Sequence, residues 1–472
     1  MDSIHWVKVT SFGALPDQAQ TNRITGSSSA FCRMPPLMAT LRPSWTERVD
    51  RWLELTTLII VAVGAFAIPL VFLRDPTDMF RLPKAMFLRA EAILLAGVGA
   101  AGYLMGSPLP RRRWRDPWLI FPATALAVFV IAALTSTNVS LSLGALGSAV
   151  ATMVVFFATV SSARRYGWVL LTAPLAAAAL NAVLVGIEEL NLWMPFGVHS
   201  EVPHHLQCDA LIGNPNEVGG YLGAALLGCL AFLWAHRGEE RLPRWAMGVM
   251  VLLAAALLAS RTLTAMIAFG VAALGMFAMT SWKKALRAAV VAGAIAVMAV
   301  LLVAPFRERA TNVLRWARTG EYNAILTERL TPFVASWLMF IDHPLTGVGP
   351  DVFHWQYYDY KIRAERRIPG LRLAFNRGVN FGEVHNDHLQ VLAEGGILGY
   401  CAFAWLLGAL AWISFSLPVY ADDARRRFAK RLALPLALFW ITLSVAQFPL
   451  ESTVVRTLLV HLAALCVGWR ES

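Results

Sequence analysis

A polar, titratable cluster lies in the C-terminal part of the chain, where a long hydrophilic stretch runs into an apolar helix. It begins at His385 and Asn386 and continues to Glu394. Histidine is the side chain whose usual pKa lies nearest physiological pH, so a histidine at the mouth of a helix can take a proton from a substrate hydroxyl. These residues predict a general base, His385, at a membrane surface.

The elements that position this cluster are predicted to be membrane helices. Of the 472 residues, 57% are hydrophobic and the mean hydropathy is +0.56, which excludes an ordinary soluble globular protein. A bilayer span needs about 20 mostly apolar residues. Windows of this kind predict an all-α, polytopic integral membrane protein with about twelve transmembrane helices, near 55–73, 84–105, 117–134, 143–162, 167–187, 217–235, 243–259, 262–280, 285–304, 389–416, 430–447 and 451–468.

The basic residues predict which loops lie in the cytoplasm. Short loops rich in Lys and Arg are held inside, and such clusters occur in every second short loop. The segments 136–146 and 188–217 contain neither residue and are then outside. The net charge of +11 reflects this topology and gives little support to a nucleic-acid-binding protein. The basic clusters are at 111–115, 164–165, 237–244, 283–287 and 425–431.

The same pattern divides the chain into four parts. Residues 1–50 are polar and predict a disordered cytoplasmic tail rather than a cleaved signal peptide. We expect nine transmembrane helices in 51–304, a long outer loop with short surface helices in 305–388, and three more helices with a cytoplasmic C-terminus in 389–472. The five cysteines form no CxxC pair, so neither a zinc site nor a disulfide framework is predicted.

The long outer loop is rich in basic residues. Long loops cross the membrane regardless of charge, so this loop does not contradict the topology. Guanidinium groups grip phosphate in a bidentate manner, which favours an anionic partner, although acidic residues of the loop could pair with many of them. The basic residues are Arg307, Arg309, Arg315, Arg318, Arg329, Lys361, Arg363, Arg366, Arg367, Arg372 and Arg377.

Several short patterns predict local structure at the outer face. Residues 331–341 have apolar side chains at helical spacing, which predicts a short helix on the membrane surface. The Gly- and Pro-rich stretch 343–350 predicts a structural turn. Asn214 predicts an N-cap before a proline at the first helical position, and Asp387 with Gln390 predicts a second cap. Both helices would aim positive dipole ends at the outer face, which favours an anion there.

Arg261 is predicted to lie in a very tight outer hairpin between two spans. Snorkelling of its side chain to lipid headgroups would explain it. However, placing an arginine near the membrane interface is costly, so a functional role is an equal alternative.

Several motifs follow one another along the chain. They are Asn214-Pro215-Asn216, Ser260-Arg261, Glu328-Arg329, Trp337, His343 to Gly349, and His385-Asn386 with Leu389, Glu394 and Gly399. In this order they resemble those of the O-antigen ligase and polysaccharide polymerase superfamily over about residues 50–470. The resemblance implies metal-independent, inverting glycosyltransferases that take a glycan from undecaprenyl diphosphate at the periplasmic face, where the long loop would lie. Ligases pass the glycan to the lipid A core, and polymerases pass it to another lipid-linked repeat unit.

The resemblance also implies roles for individual residues. His385 matches the histidine proposed to activate the acceptor hydroxyl, and Arg261 and Arg329 match arginines thought to hold the donor diphosphate. His388 stays a helix-surface residue. Supporting motif positions with structural or orienting roles are Asn386, Glu394 and Asn214.

The chemistry agrees with this resemblance, because such an enzyme must position an acceptor, remove its proton and offset the charge growing on the diphosphate. The chain contains no Asp-x-Asp pair, so we expect neither a metal nor another cofactor. The expected activity is O-antigen ligation to lipid A core, in a bacterial inner membrane with the active site facing the periplasm. Alternatives are a polysaccharide polymerase, a protein O-oligosaccharyltransferase and, more distantly, a transporter or flippase. Transporters tend to place charges at mid-membrane and to contain repeated halves, and neither pattern is evident in this sequence.

Overall fold

A computed structural model describes residues 45–74, 78–107, 117–193, 208–237, 243–302, 304–368, 371, 381–418 and 423–470. The regular elements of these segments are helices, as the sequence predicts. They are α1 (Trp45–Ala67), α2 (Arg81–Leu104), a 3-10 turn (Pro117–Leu119), α3 (Ile120–Leu134), α4 (Val139–Glu189), α5 (Pro215–Ala235), α6 (Arg244–Ala259), α7 (Leu263–Ala278), α8 (Trp282–Leu302), α9 (Ala304–Thr319), α10 (Tyr322–Ile325), α11 (Leu330–Asp342), α12 (Phe353–Arg367), α13 (Asp387–Ser416), α14 (Ala424–Leu443) and α15 (Thr453–Trp469).

By length and composition, α2, α4, α5 and α13 can each cross a membrane, and shorter apolar helices accompany them. The described residues are therefore all-helical and consistent with a membrane protein, while the number of about twelve spans stays a prediction. Residues 45–50, expected in the disordered tail, belong to α1. The rest of that tail lies outside the described residues.

The long helical segment α4 folds back on itself. The ring of His461 contacts both of its halves, with Nδ1 at 3.4 Å from the Thr159 hydroxyl and Nε2 at 2.9 Å from the Leu170 carbonyl. A straight helix would separate residues 159 and 170 by about 16 Å along its axis, which one imidazole cannot bridge. The chain must therefore reverse between these residues, close to Arg164 and Arg165, where the sequence predicts a basic turn between two spans.

The predicted inside loops meet at one end of the helix bundle. There Arg425 donates to the carbonyl of Arg164 over 2.6 Å, and Arg427 donates to the carbonyl of Ala235 over 2.8 Å. Arg431 donates to the Thr280 hydroxyl over 2.9 Å. We refer to this end as the basic end.

At the opposite end of the bundle, the predicted outer loops are joined to one another by hydrogen bonds. Lys84 donates over 2.8 Å to the carbonyls of Val71 and Leu211, and Thr137 donates over 2.9 Å to the carbonyl of Val348. We refer to this end as the site end. Helix α5 begins there and is buried along almost its whole length, so its first turn is held firmly.

Candidate active site

The helix α13, which begins just after His385, is broken at Gly396. This residue has φ 61° and ψ −160°, values that do not fit a helix. The preceding carbonyls of Ala393 and Glu394 instead accept hydrogen bonds from the backbone N–H groups of Val348 and Gly349, at 2.9 and 3.0 Å. The 343–350 segment thus satisfies backbone groups that the break releases, as buried irregular backbone in a membrane protein requires.

Two glycines allow this close approach. A Cβ on Gly347 (φ 69°) would lie 2.2 Å from the carbonyl carbon of Glu394, and one on Gly396 would lie 2.4 Å from the carbonyl carbon of Leu345. Both residues have positive φ, which L side chains rarely adopt. The sequence prediction of a structural turn at 343–350 is confirmed, and the turn is packed against the break in α13.

The carboxylate of Glu394 ties α12 to α13. Glu394 is buried, and its Oε1 accepts a hydrogen bond from the backbone N–H of Phe353 over 3.1 Å. This contact holds the first turn of α12 and fits the supporting role expected from the resemblance.

The side chain of Asn386 caps α13. Its Oδ1 accepts from the N–H of Leu389 over 3.0 Å, and its Nδ2 donates to the carbonyl of Val445 over 2.8 Å. One side chain therefore both starts the helix and joins it to the α14–α15 connection.

Asp387 is not the cap that the sequence predicted. It is the first residue of α13, is fully buried, and its Oδ2 accepts from the N–H of Leu450 over 3.0 Å and from the Ser444 hydroxyl over 3.2 Å. A carboxylate at this depth requires donors, and the α14–α15 connection supplies them. That connection is remote in sequence, so the local pattern could not reveal it.

Gln390 completes the attachment of the segment that contains His385. Its Oε1 accepts from the N–H of Val384 over 3.1 Å, and its Nε2 donates to Glu451 over 3.2 Å. Burial raises the pKa of Glu451 to about 7. The segment 381–386 is thereby held between α13 and the α14–α15 connection.

His385 lies in this segment with a left-handed backbone (φ 58°). Its ring contacts two aromatic rings edge-on, Phe448 with centroids 4.9 Å apart and Phe381 with centroids 6.0 Å apart. Its Nδ1 is buried and has no hydrogen-bond partner in the described part of the chain. A non-glycine residue held at positive φ is costly and is found most often at functional sites.

The electrostatic environment keeps His385 neutral. Burial is the largest cause, and together with the positive charges of Arg329 and Arg81 it lowers the pKa of His385 to about 4. At physiological pH the ring is then an unprotonated imidazole, the form that can accept a proton. The two arginines also create a positive potential beside the ring.

Arg329, predicted to bind the donor, is one of these two residues. It follows two residues with left-handed backbone, Thr327 and Glu328, and it donates to the carbonyl of Ala446 over 2.9 Å. Burial lowers its pKa. Within the described residues Arg329 forms no ion pair, so its charge is available to an anion.

Arg81 is the second arginine, and the sequence analysis did not single it out. It donates to Glu217 through Nη2 at 3.0 Å and Nε at 3.2 Å, and to Glu383 through Nη1. Its guanidinium lies 5.2 Å from the ring centroid of Phe448, which also contacts His385. A signal existed in the sequence, because Arg74 and Arg81 lie in a short predicted outer loop, against the positive-inside pattern.

Arg261, also predicted to bind the donor, makes different contacts. It has φ 54° and forms an ion pair with Glu189. The hydroxyl of the next residue, Thr262, donates to the carbonyl of Pro215 over 2.9 Å. The residue next to Arg261 therefore contacts the first turn of α5. Pro215 lies two residues before Glu217, which holds Arg81. No described contact joins Arg261 to His385.

The first turn of α5 has the predicted cap. Asn214 Oδ1 accepts from the N–H of Asn216 over 2.9 Å, so its capping role is confirmed. Glu217 lies in the first turn of α5, where it forms an ion pair with Arg81 and accepts a hydrogen bond from the Ser452 hydroxyl.

The charges of Glu189, Glu188 and Arg261 all act on the Cys208 thiol, so acidic groups lie close to Arg261. The Cys208 thiol lies 3.7 Å from Glu189, and its pKa is raised to about 12 by burial and by the charges of Glu189 and Glu188. Burial raises the pKa of Asp209 to about 6. The described residues contain no group of three or more His, Cys, Asp and Glu side chains arranged to hold a metal. His204 and His205 lie outside the described residues.

A comparison with protein families identifies the central part of the chain. Residues 248–404 match the family model described as O-antigen ligase. The similarity to the O-antigen ligase family covers this segment and not the whole chain. The matched segment contains Arg261, Arg329, His385 and Glu394, whereas Arg81 lies outside it. No curated protein was found to match the chain.

The match over this segment indicates a glycosyltransferase-like enzyme of the ligase and polymerase type. Similarity to this family points, in general terms, to glycan and lipid-linked substrates. The resemblance stated from the motifs is confirmed at this level.

Proposed function

We propose that this protein transfers a glycan from undecaprenyl diphosphate to an acceptor hydroxyl, with His385 as the general base. The observation that carries the proposal is the environment of His385, which lies in the family-matched region and whose neutral imidazole is next to two arginines. The reaction would take place at the periplasmic face of a bacterial inner membrane, because the site end carries the predicted outer connections.

The proton step follows from the neutral ring. The acceptor hydroxyl gives its proton to His385 while its oxygen forms a bond to the anomeric carbon of the donor sugar. The bond from that carbon to the diphosphate oxygen breaks, and its electron pair leaves with the diphosphate. Attack from the face opposite the leaving group inverts the anomeric centre. No carboxylate orients the His385 ring among the described residues, and the Phe381 and Phe448 rings hold it instead.

The arginines would offset the charge on the departing diphosphate. Arg329 is the strongest candidate, because it has no ion-pair partner in the described part of the chain and is half-buried. A bound diphosphate would also counter the positive charge that lowers the pKa of His385. Donor binding would then raise this pKa and make the ring a better base at the moment it is needed.

The remaining predicted residues have supporting roles in this proposal. Asn386 and Glu394 hold the start of α13 and α12 in place, and Asn214 caps the helix whose first turn lies between Arg81 and Arg261. Arg261 stays a proposed donor ligand, which would have to exchange Glu189 for phosphate. The mechanism uses no metal and no other cofactor.

The acceptor separates the possible activities. Ligation to lipid A core is our first choice, and polymerisation of lipid-linked repeats or transfer to a protein are the alternatives. The test is to incubate the purified protein in lipid with an undecaprenyl-diphosphate glycan, with and without lipid A core, and to resolve the products by size. Label on lipid A core indicates a ligase, and donor chains that lengthen without the core indicate a polymerase.

Two controls complete this test. Turnover that disappears in EDTA would contradict metal independence. Absence of turnover in both reactions would exclude these two activities and leave protein acceptors or a transport function.

A further inference from the structure

Arg81 is held by two carboxylates that differ in their attachment. Glu217 lies on the buried helix α5, its side chain is 5% exposed, and it also accepts from the Ser452 hydroxyl. Glu383 lies in the connection before α13, two residues ahead of His385, and its side chain is 20% exposed. Arg81 itself is 39% exposed at this point. The carboxylate of Glu217 is therefore part of the framework, whereas that of Glu383 can be exchanged.

The charge balance favours such an exchange. While two carboxylates hold Arg81, its guanidinium cannot bind a diphosphate until one of them leaves. The Arg81–Glu383 pair is partly open to solvent, whereas Glu217 is almost fully buried. Loss of the pair with Glu383 therefore costs less than loss of the pair with Glu217. A guanidinium also binds phosphate in the bidentate manner in which it binds carboxylate.

The position of Arg81 points toward the reacting groups. Its guanidinium lies over Phe448, and the same ring contacts His385. The charge of Arg81 acts on His385 together with that of Arg329. An anion placed between Arg81 and Arg329 would thus lie beside the imidazole.

We infer that Arg81 is a third donor-binding arginine, and that Glu383 is a temporary counter-ion which the donor diphosphate displaces. This inference rests on the proposed function. Arg81 and Glu217 come from α2 and α5, outside the family-matched residues, so the site combines the matched region with helices that precede it.

The experiment measures direct binding rather than turnover. The full-length protein in lipid nanodiscs is titrated with undecaprenyl diphosphate, which carries the diphosphate but no glycan. Arg81→Gln should weaken binding about tenfold or more, since a charge-assisted contact is lost, and Arg81→Lys should recover part of the loss. Glu383→Gln should tighten binding about threefold, because the competing charge is removed. Arg74→Gln, an exposed arginine of the same connection, should change binding less than about twofold.

The outcomes distinguish this inference from the proposed function. A wild-type protein that binds no lipid diphosphate would overturn both. Wild-type binding that Arg81→Gln leaves unchanged would overturn only the role of Arg81. A Glu383→Gln variant that binds more weakly than wild type would show that Glu383 supports the site instead of competing for it, and would overturn the exchange. Tighter binding by Glu383→Gln, together with loss in Arg81→Gln, supports it.

Discussion

Arg329 and Arg261 both lie at the site end of the bundle, but their surroundings have opposite charge. Beside Arg329, the His385 ring has a pKa lowered by burial and by two arginines. Beside Arg261, the Cys208 thiol has a pKa raised by burial and by two glutamates. Burial is the largest cause of both shifts. The neighbouring charges that add to it are positive at His385 and negative at Cys208. One region is prepared for an anion, while in the other the arginine charge is already matched by acidic groups.

The difference shows that an arginine in a sequence motif does not by itself make an anion site. What decides is whether another protein group already balances the charge. Arg329 donates to a carbonyl, which leaves its charge uncompensated, whereas Arg261 is paired with Glu189. Donor binding at Arg261 therefore requires an exchange that Arg329 does not need.

The largest expected effect concerns the two histidines near the start of α13. His385→Ala should lower the transfer rate about 100-fold or more, as loss of a general base does. His388 binds the carbonyl of Ile441 over 3.1 Å and packs against α14, so His388→Ala should retain most of the activity. Product formation by the two purified variants, matched for membrane insertion, tests this. An active His385→Ala variant would remove the base from the mechanism.

The next largest effect is expected on donor binding, where Arg329 and Arg261 should differ. Arg329→Ala should raise the KM for the donor about tenfold or more, because it removes a charge-assisted contact that nothing else balances. Arg261→Ala should raise it less, about threefold, since Glu189 already competes for that guanidinium. The acceptor KM serves as the internal control in both variants. A larger effect at Arg261 than at Arg329 would contradict the assignment of the two regions.

The smallest expected effect is on the reactivity of the Cys208 thiol, which depends on the negative charges near Arg261. With a pKa of about 12, the Cys208 thiol is protonated at pH 8, so iodoacetamide should modify it much more slowly in the folded than in the denatured chain. Glu189→Gln should speed modification about twofold to fivefold, because one of the charges that raise the pKa is removed. Peptide mass spectrometry measures the rate. An unchanged rate would show that burial alone protects the thiol.

Much of the fold is predictable from the sequence because each apolar span carries its own signal. The helices α5, α6 and α7 begin and end within two residues of their predicted bounds, and the Asn214 cap is a local pattern of neighbouring residues. The reversal in α4 lies close to two adjacent arginines, which predict a short inside loop between two spans. These features require no knowledge of distant contacts.

The site was less predictable, because its members come from several helices. Asp387 has the spacing of a cap, but remote donors at Ser444 and Leu450 determine its position. Glu91 is buried in α2, although the sequence suggests spans nearly free of central charge. Arg81 and Phe448 join His385 only through tertiary packing, which the spacing of residues along the chain does not show.

The most direct test of the central claim is the pH dependence of kcat/KM for the donor, which reports ionisation in the free enzyme. The neutral form of His385 is the active one, so activity should be lost only as the pH falls through about 4, the pKa that burial and the two arginines produce. In Arg329→Gln one positive charge is removed, so this acid limb should move to higher pH. An acid limb near the usual histidine pKa of about 6.5 in the wild type, unmoved by Arg329→Gln, would contradict the claim that these arginines hold the catalytic base neutral.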